Sequence, residues 1–521
     1  METVSAFAKY KANTSANKIK KNKKRNKNVD RGTSMGPVID LSDEQTKEIA
    51  GKLKQQQNKT KNTKSNLKKK QHKKKPKNNK NSPILKALPE TASIPPKDLR
   101  SANALSKQAV LNGDSEPQSN DSFDFEPVTT DSVEEAFKVF KWMIAPYNPD
   151  EFLKTVWEKK PLHISRKKPN YYKEIITTPI IDLMLRNESI HFTKNIDITS
   201  YVDGHKEMHN PEGRAHPHIV WDFYLHGCSI RLLNPQTYIP KLHLLNATMQ
   251  EYFNSFVGAN AYLTPPDTQG FAPHYDDIEA FILQTEGRKR WRVYKPPSKE
   301  EVLARVSSKN FDQSEIGDPI LEVTLEPGDM LYFPRGYVHQ GVTIEGEHSL
   351  HVTIKIKDVI VSLFNKIKNY LPFDEGVDQM HKNYQHAALP PVLNDLEKAV
   401  TVFGDSDVMI KNGVVTNRVE IGLDTRIRLL RKNILRMVTE EKIRIYYYVE
   451  NSLEYHGNDL PYVEIEEELA PAVETLITAY PEYVSVENLD VPQDSDKLFI
   501  ADALWSKGLI MTEYPLETID D

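Results

Sequence analysis

The pattern of apolar and polar positions predicts where the chain folds. Residues 1–80 show little apolar periodicity, whereas DSVEEAFKVFKWMI has a candidate helix cap at Asp131 or Ser132 and carries apolar residues at helical spacing. DEFLKTVWEKKPL predicts a second helix that ends at Pro161. From about residue 180 to residue 357, short apolar runs such as AFILQTEGRKRWRVYKPP and SLHVTIKIK are broken by Gly, Pro and Asp. Short strands separated by turns predict a sandwich or barrel.

After about residue 358 the spacing of apolar residues predicts helices. DTRIRLLRKNILRMV places Ile427, Leu430, Ile434 and Met437 on one helical stripe, which predicts packing in a core or between subunits. EEELAPAVETLITAY and DKLFIADALWSKGLI predict two further helices, with a strand-like YVSV between them and an extended MTEYPLE after them. This order of elements fits a small winged-helix domain. The segment has more acidic than basic residues, which argues against DNA binding.

Charge is distributed very unevenly around the net value of -4. Residues 1–80 hold 24 Lys+Arg and 6 Asp+Glu residues. The rest of the chain holds 45 Lys+Arg and 67 Asp+Glu residues. A Lys/Asn/Gln-rich segment buries too little apolar surface to fold alone, so we predict a disordered basic tail over 1–80 and a disordered linker over 81–130. The basic clusters are typical of nuclear or nucleolar import and of non-specific RNA contact through phosphates.

Two absences narrow the class of protein. Cys228 is the only cysteine, so no disulfide forms within the chain, which favours a reducing compartment such as the nucleus or cytosol. No run of about 18 apolar residues occurs, so we expect no transmembrane helix and no membrane partner.

Candidate chemistry lies in QGFAPHYDDIEAFILQTEGRKRWRVYKP, residues 269–296. His274 and Asp276 are two residues apart, so they share one face of an extended strand. A metal site needs a third ligand, and the best candidate is His339 in EPGDMLYFPRGYVHQG. Two imidazoles and one carboxylate leave three coordination positions open, which suits a non-heme Fe(II) oxygenase. Zinc more often takes a closed tetrahedral set of ligands.

Lys289 lies on the next predicted strand and supports this interpretation. It shares a strand face with apolar Trp291 and Val293, while the arginines on either side of it point the other way. A buried lysine needs an anion. The distal carboxylate of 2-oxoglutarate, held to the metal by its other end, is one candidate, and a protein carboxylate such as Glu279 is the alternative.

Three segments, YLTPPDTQGFAPHYDDIEAFILQTEGRKRWRVYKP, GDMLYFPRGYVHQ and HSLHVTI, resemble the JmjC ribosomal oxygenase family over roughly residues 131–515. The resemblance is closest to its nucleolar protein 66 branch of bifunctional lysine-specific demethylases and histidyl-hydroxylases, related to Myc-induced nuclear antigen. It implies an α+β fold with a double-stranded β-helix (jelly-roll, cupin-like) JmjC catalytic domain over 131–357. A helical dimerisation domain would follow over 358–455 and a winged-helix domain over 456–521.

The resemblance also implies roles for single residues. The metal ligands, which are also the catalytic residues, are His274, Asp276 and His339. The co-substrate would be bound by Lys289, Asn260, Tyr262 and Lys355. The target peptide would lie near Arg231 and Tyr262.

Three of these residues allow other interpretations. Asn260 has the alternative of capping a turn, and Arg231 that of pairing with an acid on a neighbouring strand. Lys355 departs from the family, which tends to have a small hydroxyl residue at this position. The longer cation would shrink the pocket or offer a second contact to an anion.

The implied activity uses Fe(II) as cofactor with 2-oxoglutarate and O2 as co-substrates. The implied targets are a histidine of a large-subunit ribosomal protein and the methyl-lysines at the fourth and thirty-sixth positions of histone H3. Such an enzyme acts in chromatin and transcription regulation, as a repressor, and in ribosome biogenesis. We expect a homo-oligomer in the nucleus, in nucleolus or nucleoplasm. Two alternatives stay open: a catalytically silent adaptor for chromatin or ribosome assembly, and a metal-binding cupin with a small-molecule substrate.

Overall fold

The computed structural model describes residues 131–357, 373–404, 408–409, 415–416, 418–454 and 459–518. The predicted basic tail (1–80) and linker (81–130) lie outside the described residues. All described residues belong to one unit of the chain. In this part of the chain, every helix is too short or too polar to cross a membrane.

Five helices belong to the N-terminal half: α1 Ser132–Ile144, α2 Pro149–Thr155, α3 Thr178–Asn187, α4 Pro217–Leu225 and α5 Pro240–Phe253. The first begins as predicted, because the Asp131 carboxylate caps it by accepting a hydrogen bond from the Val133 amide at 2.9 Å. The second helix ends before Pro161, earlier than predicted. Short 3-10 turns lie at Pro235–Thr237 and Gln313–Glu315.

Eleven strands make two antiparallel sheets. They are β1 Leu162–Ile164, β2 Ile196–Val202, β3 His205–Met208, β4 Ser229–Leu233, β5 Phe256–Thr264, β6 Glu279–Gly287, β7 Lys289–Val293, β8 Leu321–Leu325, β9 Met330–Phe333, β10 His339–Thr343 and β11 Ser349–Lys357. The large sheet has the order β1-β9-β6-β11-β5-β4-β2-β3, and the small sheet has the order β10-β7-β8. The long crossovers between neighbouring strands are those of a jelly roll.

The central strand β6 shows how the roll is packed, because it is buried on both faces. Phe281 and Leu283 join the large core between the sheet and the helices. Ala280 and Ile282 point the other way, into a core shared with Trp291 and other residues of the small sheet. Side chains alternate across a strand, so a nearly continuous apolar run is what a strand between two layers requires.

Aromatic rings fasten the N-terminal helices to the outer face of the large sheet. Phe152 of α2 packs edge-on against Tyr332 at 4.9 Å between ring centroids, and Trp157 stacks on the same ring at 5.9 Å. Phe140 of α1 meets Phe281 at 6.2 Å. Each buried aromatic side chain contributes on the order of 1.5–3 kcal/mol.

The C-terminal part mixes helices and strands. Its elements are α6 Phe373–Ala387, α7 Asp395–Ala399, β12 Val408–Met409, β13 Val415–Thr416, β14 Arg426–Leu429, β15 Leu435–Thr439, β16 Ile443–Tyr447, β17 Tyr462–Ile465, α8 Ala470–Ala479, β18 Val484–Ser485, α9 Asp494–Ser506 and β19 Ile510–Thr512. Two 3-10 turns lie at Glu467–Leu469 and Val486–Asn488. Here α8, β18, α9 and β19 confirm the predicted order helix, strand, helix, extended segment.

The predicted helix over DTRIRLLRKNILRMV is wrong, and the segment 358–455 is not wholly helical. Residues 426–429 form β14, which pairs with β18 and β19 from far along the chain, and residues 435–439 form β15, which pairs with β16. Ile427 and Ile434 are fully buried, as the apolar stripe required, but in strand and loop backbone. Pairing with strands that are distant in sequence determined the backbone conformation, although the apolar residues have helical spacing. The domain boundaries at 358 and 456 stay a prediction.

Candidate metal centre

The roll brings the three predicted metal ligands together from two distant segments. His274 lies in the loop before β6 and His339 is the first residue of β10; the two pair as an isolated bridge. The His339 amide donates to the His274 carbonyl at 2.9 Å, and the His274 amide donates to the His339 carbonyl at 3.3 Å. This backbone pairing sets the two imidazoles side by side, with ring centroids 4.6 Å apart.

A glycine turn before β10 sets the position of His339. Gly336 has a φ of +85°, and a Cβ there would lie 2.1 Å from the Glu301 carbonyl, so only glycine fits. Its amide donates to the Asp276 carbonyl at 3.0 Å. The turn therefore connects the loop that holds Asp276 with the strand that holds His339.

The ligand atoms of His274, Asp276 and His339 all lie within 4.8 Å of one another. The Asp276 carboxylate is 3.9 Å from His274 Nε2 and 4.0 Å from His339 Nε2. Each imidazole donates from Nδ1 to a backbone carbonyl, that of Ala272 at 2.8 Å and that of Tyr337 at 3.1 Å. In this tautomer the Nε2 lone pairs face the carboxylate and are free to bind a metal.

Electrostatics favour the metal-binding protonation states. Burial, and the neighbouring His274, lower the pKa of His339 to about 4, so its imidazole is neutral near pH 7. Burial acts to raise the pKa of Asp276, but His274, His339 and Lys355 outweigh it and hold that pKa below its usual value. Neutral imidazoles beside an ionised carboxylate are the forms that a divalent metal binds.

Lys289 is buried in the same pocket, with 4% of its surface exposed. Its ammonium donates to the Thr264 hydroxyl at 3.0 Å and lies 5.6 Å from the Trp291 ring centroid. Among the described residues no carboxylate lies within ion-pair distance of it; Glu279, the alternative partner, instead accepts from Tyr332 at 2.5 Å. Burial lowers the pKa of Lys289 to about 7, so a carboxylate bound beside it would stabilise its charged form.

His351 forms the wall beside Lys289 and was not among the predicted site residues. It stacks on Tyr262 with ring centroids 5.0 Å apart and meets Trp291 edge-on at 5.2 Å. Its Nδ1 is buried without a hydrogen-bond partner. The sequence signal was its strand face, which His351 shares with Thr353 and Lys355.

Asn260 and Tyr262 lie on β5, opposite Thr353 and His351 of β11. With the Asn260 amide oriented so that its oxygen faces Lys355, that oxygen accepts from Lys355 Nζ at 2.5 Å and the amide nitrogen donates to the Ala259 carbonyl at 2.8 Å. Of the residues on these two strand faces, Tyr262, His351 and Thr353 line the pocket, whereas Asn260 and Lys355 lie next to that lining. Asn260 lies within a strand, so it caps no turn.

Arg231 on β4 pairs with Asp197 of the neighbouring strand β2, as its alternative interpretation required, and its Nε donates to that carboxylate at 3.1 Å. The guanidinium also lies 5.4 Å from the ring centroid of Phe271, which lines the pocket. The structure thus places Arg231 next to the pocket but already paired.

The residues present fit both an iron ion and 2-oxoglutarate. Two free Nε2 atoms and one carboxylate would hold the metal on one side and leave its other positions open. Lys289 would bind the far carboxylate of a short dicarboxylate whose near end reaches the metal. Gly341 keeps this end of the pocket open, because a Cβ there would lie 2.9 Å from Lys289 Cε.

Comparison with known proteins agrees with this geometry. Residues 231–362 match the JmjC domain model, and residues 389–516 match the model described as Ribosomal oxygenase 1, C-terminal winged helix domain. A protein of Culex quinquefasciatus named bifunctional lysine-specific demethylase and histidyl-hydroxylase NO66 is 46% identical, with 73% of this chain and 67% of the relative covered. The chain belongs to the NO66 family of JmjC oxygenases.

A second relative supports the family assignment. Ribosomal oxygenase 1 of Gallus gallus is 39% identical over 74% of each chain. An X-ray structure of E. coli ycfD covers 70% of this chain and 98% of its own, but at 16% identity and a TM-score of 0.38 it carries no further argument. Membership in the family confirms the predicted enzyme class, the JmjC and winged-helix parts of the fold, and the requirement for iron and 2-oxoglutarate.

Proposed function

We propose that this chain hydroxylates a histidine of a large-subunit ribosomal protein and acts on methyl-lysines of histone H3, with His274, Asp276 and His339 as its metal ligands. The observation that carries the proposal is the convergence of three ligand atoms within 4.8 Å beside the buried Lys289, which has no acid within ion-pair distance among the described residues. The printed names of its relatives, which join a demethylase with a histidyl-hydroxylase, support both target classes.

The protein's own side chains bind the co-substrate and orient it in the pocket. Lys289 and Thr264 would hold the distal carboxylate of 2-oxoglutarate, while Trp291 and Phe333 shield the pocket from water. Iron with 2-oxoglutarate and O2 supplies the oxidation, which puts one oxygen atom into a target C–H bond and releases succinate and carbon dioxide. Tyr262 lies where it can contact both the co-substrate and a target side chain.

The cellular setting follows from the tail and the family. We propose that the basic segment over 1–80 directs the chain to the nucleus and nucleolus and makes non-specific RNA contacts. Ribosome biogenesis and transcriptional repression are the processes proposed for it there, and a homo-oligomer is the proposed assembly. Nuclear import of a fluorescent fusion, lost when residues 1–80 are deleted, tests the first of these.

The decisive experiment measures turnover of 2-oxoglutarate by the full chain with iron(II) and either a histidine-containing ribosomal peptide or a methylated H3 peptide. We expect peptide-stimulated succinate formation in the wild type, with gain of one oxygen atom on the histidine by mass spectrometry. His339→Ala should fall to the peptide-free level, because the metal loses a ligand.

His348→Ala is the matched control. His348 lies outside the pocket, is 40% exposed and pairs with Glu286 at 3.2 Å. Its removal should leave turnover and metal binding unchanged. Full turnover by His339→Ala, or no stimulation of the wild type by either peptide, would contradict the proposed function.

A further inference from the structure

Two lysines that have no acid within ion-pair distance among the described residues lie at the pocket: Lys289 lines it, and Lys355 shares a strand face with Thr353, which lines it. Lys289 contacts Thr264, and Lys355 contacts Asn260. Thr264 and Asn260 are four residues apart on the same face of β5, which separates them by roughly 13 Å along the strand. The two cations therefore cannot bind the same small carboxylate, and only Lys289 lies at the co-substrate end.

Lys355 lies near enough to Asp276 to lower the pKa of that carboxyl, but it forms no ion pair within the described part of the chain. It is half-buried, and in the described part of the chain no carboxylate lies within ion-pair distance of its ammonium. Its hydrogen-bond acceptor, the Asn260 amide, is neutral. By contrast, Lys357, two residues further along the strand, forms an ion pair in which its ammonium lies 3.0 Å from the Asp277 carboxylate.

Other positive groups stand near the same end. Lys206 Nζ lies 4.4 Å from the ring centroid of Phe271, and among the described residues it has no acid within ion-pair distance. Arg231 lies over the same ring, but Asp197 neutralises it. Lys206 and Lys355 are thus two cations beside the pocket that have no ion pair among the described residues, while the carboxylates of Asp197 and Asp276 lie near them.

The target side chain must enter at this end. With the co-substrate between Lys289 and the metal, the space left beside the metal lies towards Thr353, which lines the pocket and faces Asn260 of β5. Lys355 follows two residues later on the same face of β11. A methyl-lysine brings its own positive charge into that space, where like charges repel. A histidine is mostly neutral at pH 7, and a ring nitrogen can accept a hydrogen bond from an ammonium.

We propose that Lys355 is a specificity-determining residue that selects a neutral, hydrogen-bond-accepting target side chain such as imidazole and disfavours a methyl-lysine. The inference rests on the proposed function and narrows it to the histidyl-hydroxylase activity. It also places Lys355 on the target side of the metal and not with the co-substrate.

A binding experiment on the full chain isolates the effect of charge. Two H3 peptides are compared by calorimetry, one with trimethyl-lysine and one with its uncharged isostere in which carbon replaces the nitrogen. We expect wild type to bind the neutral peptide about tenfold more tightly, the size of a partly screened repulsion between two unit charges. In Lys355→Gln, which keeps a donor to Asn260, the preference should vanish.

Two variants serve as controls. Lys355→Arg keeps the charge and should keep the preference for the neutral peptide. Arg290→Gln removes a cation from the outer face of β7, where it is 47% exposed, and should also keep it. Equal binding of the two peptides by wild type, or a preference that survives in Lys355→Gln, would overturn the inference.

Turnover supplies the second readout. The ratio of demethylation to histidine hydroxylation should rise about tenfold in Lys355→Gln relative to wild type and Arg290→Gln. An unchanged ratio would refute the role of Lys355. If neither peptide stimulates 2-oxoglutarate turnover in any variant, the proposed function fails, while the binding comparison still decides the role of Lys355.

Discussion

Two clusters of buried polar groups, one around Glu251 and one in the pocket, differ in how many of their groups form hydrogen bonds within the protein. The carboxylate of Glu251 on α5 accepts a hydrogen bond from Tyr448 at 2.5 Å and one from Ser132 at 3.1 Å. Tyr480 in turn donates to Ser132 at 3.0 Å. These bonds join the N-terminal helices to the C-terminal part, so this cluster stabilises the fold.

The pocket cluster is left incomplete. Lys289 has a single hydroxyl partner, and His351 Nδ1 and Trp291 Nε1 are buried without hydrogen bonds. Unsatisfied buried polar groups lower stability unless a ligand binds them. The difference is that the Glu251 hydrogen bonds connect two parts of the fold, whereas the unsatisfied groups of the pocket lie beside the three candidate metal ligands.

The largest expected effect is that of Lys289→Met. We expect KM for 2-oxoglutarate to rise about 100-fold, because the co-substrate loses its charged partner. Stability should not fall, since methionine removes an unpaired ammonium from an apolar site. Arg290→Met on the outer face of the strand is the control. A clear loss of unfolding free energy in Lys289→Met would contradict the conclusion that the pocket lysine does not stabilise the fold.

Glu251→Ala should show the reverse pattern. Removing the carboxylate leaves two hydroxyls without their acceptor, so we expect a loss of about 3 kcal/mol in unfolding free energy, measured by urea denaturation. KM for 2-oxoglutarate should stay at the wild-type value. Glu134→Ala, an exposed partner of Lys138, should change stability by less than about 1 kcal/mol.

The pH dependence of stability sharpens the contrast. The pKa of Lys289 is about 7 in the fold and 10.5 without burial, so between these values the unfolded chain binds more protons. The penalty for burying its charge is therefore complete below pH 7 and disappears as pH rises toward 10.5. The stability advantage of Lys289→Met over wild type should shrink across this range in parallel urea titrations. A difference independent of pH would contradict the assignment.

Gly341→Ala should have the smallest effect. Its Cβ would approach Lys289 Cε to 2.9 Å and Trp291 to 3.2 Å, so the lysine must shift within the pocket. We expect KM for 2-oxoglutarate to rise less than in Lys289→Met, with kcat unchanged in steady-state assays. Gly376→Ala on α6, where a Cβ meets nothing within 4 Å, is the control.

Local pattern was enough for some features and not for others. The cap at Asp131 and the inward face shared by Lys289 and Trp291 depend on neighbouring residues, so the sequence predicted them. The strand at 426–429 was missed because its partners lie in 484–485 and 510–512. The same apolar residues can form one face of a helix or a buried strand, and here strand partners from distant parts of the chain decided for the strand.

Residue types and spacing alone therefore determined the chemistry that is possible here: a histidine and a carboxylate on one face, a second histidine after a glycine turn, and a lysine among apolar neighbours. The tertiary structure decided which of these groups meet and which stay unpaired. Glu279 is bound by Tyr332, Arg231 is paired with Asp197, and Lys289 has no acid among the described residues. The physical reason is that the energy of a buried charge depends on its partners in space, and these come from strands that are distant in sequence.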